Sequence, residues 1–205
     1  RSETAILLAT FAATLLFPLE FAVLSGVILS LAIHIYEASM PLVRPVVPDA
    51  EYRHFVERSG APACPQLAVM TVRGSLFFGA AQHVEDVLAA TLADNPGQHL
   101  LLLRMHGVDR CDLSGIEMLE GVVRLYRRIG GDVFMVGVRQ PVRDVMAQSG
   151  FDALLGEDHY LPQEGAVETL FEERIDPSVC IYECEHRVFA ECQALEKHPY
   201  DARLP

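Results

Sequence analysis

The stretch RCDLSGIEMLEGVVRLYRRIGGDVFMVGV, Arg110 to Val138, decides how the chain folds. Ile116, Leu119, Val122, Val123 and Tyr126 recur at helical spacing along one side, and Ile-Gly-Gly at 129–131 stops the helix. DVFMVGV then runs apolar without alternation, as a strand covered on both faces does. In front of the helix stand Asp112 and Ser114, oxygen acceptors of the kind that the unbonded N–H groups of a helix start require. The same two residues also fit a phosphoacceptor turn or a catalytic Asp-Ser pair.

Working outward, QHLLLLRMHG reads as a second buried strand, and AAQHVEDVLAATLADNPG as a helix with Val84, Val87, Leu88 and Leu92 on one face, closed by Asn-Pro-Gly. LAVMTVRG and SLFF read as two short strands joined in a hairpin around Gly74. Downstream, QPVRDVMAQSG is a helix with Pro141 near its first position, and EGAVETLFEER is the final helix. The order ββαβαβαα with short loops predicts one α/β layer domain from about Cys64 to Arg174.

The amino-terminal part obeys a different solvent. From Ala5 to Ile35, AILLATFAATLLFPLEFAVLSGVILSLAIHI carries only Glu20 and His34 as ionisable groups. This run exceeds the roughly 20 apolar residues needed to cross a bilayer. One straight span would bury Glu20 and place Pro18 inside a helix, so a break at FPLEF is expected. The first half is then a helix of about 13 residues, roughly 20 Å long, too short to cross alone. Ala12, Ala13, Ala22, Ser25 and Gly26 suit close packing with other helices, as at the end of a multispan bundle. His34 reads as interfacial or packed. PLVRPVVPDAEY, with three prolines, predicts an extended linker beyond the apolar segment.

The formal net charge of −12 argues against nucleic acid as a partner, because phosphate binding requires a clustered basic surface. Five cysteines, an odd number at irregular spacings, suit a reducing compartment and not a secreted disulfide framework. The opening RSETAILLATF has neither Met nor a basic leader region, so the chain reads as a piece of a longer protein. No cofactor-binding motif stands out.

The DLSG turn before its helix, followed by GGDVFMVGVRQPVRDVMAQSGF, resembles a STAS domain, the module of sulfate transporters and anti-sigma-factor antagonists. LFPLEFAVLSGVILSL, the Pro-rich exit and GSLFFGAAQHVEDVL resemble the last membrane helices and following domain of the sulfate permease (SulP) anion transporters. The resemblance implies an α/β STAS-like domain with a central mixed β-sheet and packed helices, preceded by a transmembrane helical hairpin. It divides the chain into membrane helices at 1–37, a linker at 38–63, the STAS domain at 64–174 and a Cys-containing tail at 175–205. It further implies a dimeric, multispan transporter of sulfate, bicarbonate or a related anion in the cell (inner) membrane, with the STAS domain and tail in the cytoplasm. The partners implied are the rest of the membrane domain, the lipid bilayer and a second copy. The substrate site of that family lies in earlier membrane helices, so no transport-site residue is assigned here. A phosphorylation-switched module of the anti-sigma-antagonist type is the alternative, and the apolar segment argues against it.

Within this frame the candidate residues are few. Asp112, Ser114 and Gly115 form the helix-start turn; by resemblance to the antagonists, Ser114 occupies the phosphoacceptor position. Leu113 replaces the hydroxyl residue common there, and capping by Asp112 or Ser114 explains the pair more simply. An enzyme is not expected: no G-x-S-x-G elbow occurs, and His106 is the sole nearby candidate base. Arg124, Arg127 and Arg128 lie on neighbouring helical turns and form a basic strip, a candidate contact for lipid headgroups or a partner loop. Cys180, Cys184, His186 and Cys192 are weak metal candidates that lack the C-x-x-C spacing of zinc sites. Packing of apolar thiols along a helical tail explains them equally well.

Overall fold

A computed structural model describes residues 2–196, apart from 17, 39, 53, 58, 59 and 61. Two units divide at Met40 and Pro41.

The first unit is a pair of helices, α1 (Ser2–Leu16) and α2 (Leu19–Ala38). Pro18 stands at the break, where it lacks an N–H to lose, and its carbonyl accepts the N–H groups of Phe21 and Ala22. Glu20 consequently sits in the first turn of α2, an end that favours negative charge. The helices fold back on one another: a Cβ on Gly26 would lie 2.8 Å from Thr10 Oγ1, so glycine permits this close crossing. Among the described residues, only α2 of the two contains an apolar stretch, Leu19–Tyr36, long enough to cross a membrane. The expected hairpin therefore stands as two packed helices with one of spanning length. Among the described residues of this unit, Ala22 is the one buried apolar side chain, while Phe21, Leu24, Ile28 and Leu31 are all more than half exposed.

The second unit is built on a five-stranded sheet of order β1-β4-β5-β6-β7. Its strands are β1 (Leu42–Pro45), β4 (Leu67–Arg73), β5 (Leu100–Gly107), β6 (Asp132–Val136) and β7 (Tyr160–Leu161). β4 to β7 run parallel, and β1 pairs antiparallel to β4, with Val43 opposite Val72. A separate ribbon pairs β2 (Val47–Pro48) with β3 (Phe55–Val56).

Alternation within the buried strands supplies two cores. Met70, Leu101, Leu103, Met105, Val133 and Met135 point to one face, against α3 (Phe78–Asp94), α4 (Leu113–Arg128), α5 (Gln140–Ser149) and α6 (Phe151–Leu155). Leu67, Val69, Leu100, Leu102, Phe134 and Val136 point to the other, against α7 (Ala166–Glu173) and the tail. The helix faces expected from periodicity are observed: Val84, Leu88 and Leu92 on α3, and Ile116, Leu119, Val122, Val123 and Tyr126 on α4, are buried.

Three expectations require correction. SLFF does not form the second arm of a hairpin. Only Leu76 is buried and bridges Cys111; Phe77 stands at the N-cap position of α3 without a side-chain bond to it, and Phe78, 83% exposed, begins the helix. The antiparallel partner of β4 comes instead from the Pro-rich segment, so 38–63 is not merely a linker. Its prolines are compatible with pairing because β1 is an edge strand, whose outer side needs no hydrogen bond. The tail, finally, is not one helix. A wide turn (Val179–Glu183) and α8 (Ala190–Gln193) are separated by irregular chain, and Cys180, Cys184 and Cys192 are all buried. Cys180 and Cys192 belong to the second core beside Cys64, with their sulfurs 4.0 Å apart. Burial pushes the Cys180 thiol up to about 12, with the neighbouring cysteines adding to the rise, so it packs as a small apolar group. His186 is exposed, and among the described residues these side chains form no group that could hold a metal ion. Residues 197–205 of the tail lie outside the described residues.

Candidate functional site

Above the carboxyl ends of β4 and β5 the two chains continue side by side. Gly74 N–H donates to the Gly107 carbonyl (2.9 Å), Leu76 N–H to Arg110 (2.8 Å) and Asp112 N–H back to Leu76 (2.9 Å). This ladder brings the starts of α3 and α4 together. The Asp112 carboxylate then serves both helices, accepting Gly115 N–H at 2.9 Å with Oδ1 and Phe78 N–H at 3.1 Å with Oδ2. Two sets of free helix N–H groups and two positive dipole ends thus meet one negative charge. Gly115 is buried because the backbone of Leu76 passes against it.

Ser114 does not share this work. It is half-buried within the first turn, and among the described residues its hydroxyl makes no hydrogen bond. Asp112 alone is the cap. Ser114→Ala should accordingly change stability by less than about 0.5 kcal/mol, whereas Asp112→Ala should lose about 1 to 3 kcal/mol through two orphaned helix starts. Urea denaturation of both variants checks the contrast, and equal losses would return Ser114 to a capping role.

The turn is flanked by Phe78 and Leu113, exposed by 83% and 67%. Neither was singled out from sequence, since an apolar residue on a short segment gives no sign of which way it faces. Cys111 is buried beside Leu76; burial, aided by the Asp112 charge, pushes its thiol up to about 12, away from reactive thiolate. His106 does not approach Ser114 as a base. It lines a cavity with Arg104, Leu102 and Val136, the last two being members of the core on the other sheet face.

The basic strip also divides. Arg124 is exposed and paired with Glu120 at 2.8 Å, and Arg128 is exposed. Arg127 instead turns inward: its Nε donates to Asp132 (2.8 Å), and its terminal nitrogens donate to the Leu154 and Leu155 carbonyls (2.6 and 2.7 Å) that end α6. A helix end requires such donors, so Arg127 is committed to the domain and is not free for lipid. His159, buried and stacked on Phe134 with centroids 4.8 Å apart, joins the network through Asp132 (2.8 Å) and Asp158 (2.9 Å).

Burial alone would raise the Asp132 carboxyl, but bonds from His159, Arg127 and the Val133 N–H outweigh it and hold the group below its ordinary 3.8. A carboxyl lowered on folding adds stability above its unfolded value and loses it as pH falls through the folded one. Asp132→Asn should therefore be less stable than the native chain by about 1 to 3 kcal/mol at pH 7. The gap should close below about pH 4, the range set by that 3.8 reference. A gap that stays constant down to pH 2.5 would show that this carboxyl is not held low by folding.

Comparison with known proteins agrees with this geometry. The STAS domain model matches residues 59–165, just over half of the chain. A Bacillus subtilis (strain 168) protein, YvdB, named as a candidate sulfate transporter, is 26% identical over 163 residues, covering 78% of this chain and 29% of that protein. The fold is shared with the murine Solute Carrier 26 family member A9 anion transporter in its inward-facing state (TM-score 0.71, 21% identity, 83% of this chain and 29% of that one). A second structure of SLC26A9 agrees (TM-score 0.69, 22% identity, 83% and 30%). The chain spans about 30% of the length of each of these proteins. It belongs to the STAS-domain family, and its order of apolar helices followed by a STAS domain is that of the C-terminal part of a SulP-type transporter.

Proposed function

We propose that this chain is the carboxy-terminal portion of a secondary transporter for sulfate, bicarbonate or a related anion. In this reading α2 spans the cell (inner) membrane beside other helices, and the STAS domain stands in the cytoplasm, where it assembles or regulates the transporter. One observation carries the reading: a helix of spanning length whose large apolar side chains are exposed is joined, in one chain, to a STAS domain. Such a surface needs lipid or partner helices. The exposed Phe78 and Leu113 beside the shared cap fit a docking surface for the membrane domain or a second copy. No catalytic role is assigned, since Asp112 is occupied by two backbone donors and, among the described residues, the Ser114 hydroxyl is hydrogen-bonded to no base. The test is anion uptake into vesicles by the longer protein, with Phe78→Ser and Leu113→Ser together. Uptake should fall at equal abundance while the domain stays folded; unchanged uptake would remove that surface from the mechanism.

A phosphorylation switch is the second reading, and the unbonded Ser114 hydroxyl favours it. A phosphate there would compete with Asp112 for the N–H groups of two helix starts and repel its carboxylate. Phosphate detected on Ser114 in cells, with opposite effects of Ser114→Ala and Ser114→Asp on uptake, supports the switch. Unmodified Ser114 with equal uptake in both variants eliminates it.

A further inference from the structure

On the sheet face away from α3 and α4, the apolar core stops at Leu102 and Val136, and the strand ends turn basic. Arg104 and His106 line a cavity of about 300 Å³ there, together with His54, Phe55 and the first residue of α7, Ala166. The Arg104 guanidinium lies 4.7 Å above the Phe55 ring and donates one hydrogen bond, 3.2 Å, to Thr71 Oγ1. Among the described residues it makes no ion pair. Arg73, by contrast, has Glu57 at 3.4 Å, and Arg139 donates to the His106 carbonyl at 2.9 Å. Burial and the charges of Arg104, Arg73 and Arg139 together disfavour a further proton on His106, which marks the spot as locally positive on a chain of net charge −12.

A second feature converges on the same space. α7 starts at this cavity, and its N-cap, Gly165, offers no side-chain acceptor to the first-turn N–H groups. A helix start without a side-chain cap, beside an arginine that has no ion pair, supplies a dipole, backbone donors and a planar fork of N–H groups, the requirements for holding oxygen atoms that carry negative charge, although Glu168 in the first turn of α7 offsets part of that dipole. Among the described residues, the one carboxylate lining the cavity is Glu164, an exposed residue that opposes an anion.

We propose that this cavity is an oxyanion site for the sulfate or phosphate class, held by Arg104 and the start of α7, with the Phe55 ring as one wall. It lies on the opposite sheet face from the Asp112 turn and does not rest on the transporter reading. The same chemistry is offered by a free ion or by a phosphate monoester, whose organic part would occupy the rest of the cavity.

The test is isothermal titration of the full chain in detergent with inorganic phosphate, sulfate and phenyl phosphate, with chloride holding ionic strength constant. Saturable binding of one equivalent of phosphate or sulfate is expected, and Arg104→Gln should weaken it by about tenfold or more. Glu164→Gln should tighten it a few-fold and, because that side chain is exposed, keeps the test decisive should Arg104→Gln fail to fold. Tighter binding of phenyl phosphate identifies the headgroup of an organic phosphate as the ligand; equal or weaker binding identifies the free ion. Absence of saturation, or affinity unchanged by both substitutions in folded protein, overturns the site.

Discussion

Removing residues 1–40 is expected to turn a chain that needs lipid or detergent into a soluble, monodisperse domain, and cutting instead after Val46 is expected to ruin that domain. The first half follows from composition: the excised unit holds most of the exposed large apolar side chains, in one continuous run, while Pro41–Pro205 is a compact unit with both faces of its sheet covered. The second half follows from pairing. Leu42–Pro45 covers the edge of β4, whose residues from Leu67 to Val72 are all buried, and Val43 and Val46 enter the two cores. Losing the two valines removes about 1.5 to 3 kcal/mol each in burial and leaves a flat, apolar strand edge open to other chains. Against a net stability of about 5 to 15 kcal/mol, that loss is large. Size-exclusion chromatography in plain buffer and urea denaturation compare the two truncations. If both are monomeric with the same midpoint, β1 is dispensable and the boundary belongs further along the chain. If neither is soluble, the apolar unit is not the reason the full chain needs detergent.

What could be read from sequence followed how much of the physics is local. α3, α4, α5 and α7 and strands β4 to β6 were legible because periodicity and uninterrupted apolar runs report burial directly. The break at Pro18 was legible because proline and a charge objected to the same straight helix. β1 was not, since three prolines in twelve residues signal extended chain, and only the neighbour across the ladder decides whether extended chain is strand or linker. α6 and β7 are too short to show a period. At the turn, sequence narrowed the cap to Asp112 or Ser114, but the choice between them depended on Phe78 N–H arriving from another helix start. Arg127 carried the same ambiguity: its spacing placed it with Arg124 and Arg128, while two carbonyls at the end of α6, more than twenty-five residues away in the chain, decided where its guanidinium went. Long-range acceptors leave no mark in the donor's own neighbourhood.

Gly115→Ala tests the geometry of the turn more severely than any change to its polar atoms. A Cβ at this position would lie 2.6 Å from the Leu76 carbonyl oxygen, 2.8 Å from Cys111 Sγ and 3.0 Å from Leu76 Cβ. Leu76 cannot yield easily: it is fully buried, its N–H donates to Arg110 and its carbonyl accepts Asp112 N–H. The start of α4 must therefore move away, which stretches the Phe78 and Gly115 bonds to Asp112 and loosens both helix starts together. Alanine favours helix over glycine by up to about 1 kcal/mol, but overpacking costs about 1 to 3 kcal/mol and the caps are lost with it. The clash should win, lowering the melting temperature by about 4 to 10 °C for a domain of this size. Gly121, on the same helix, supplies the opposite case: its nearest neighbour is Glu85 Oε1 at 3.7 Å, an ordinary contact. Gly121→Ala should consequently raise stability by up to about 1 kcal/mol. Opposite signs from the same substitution six residues apart separate backbone approach from helix propensity. If both variants melted above the native chain, α4 would not start against Leu76, and the glycine of Asp-Leu-Ser-Gly would need another explanation.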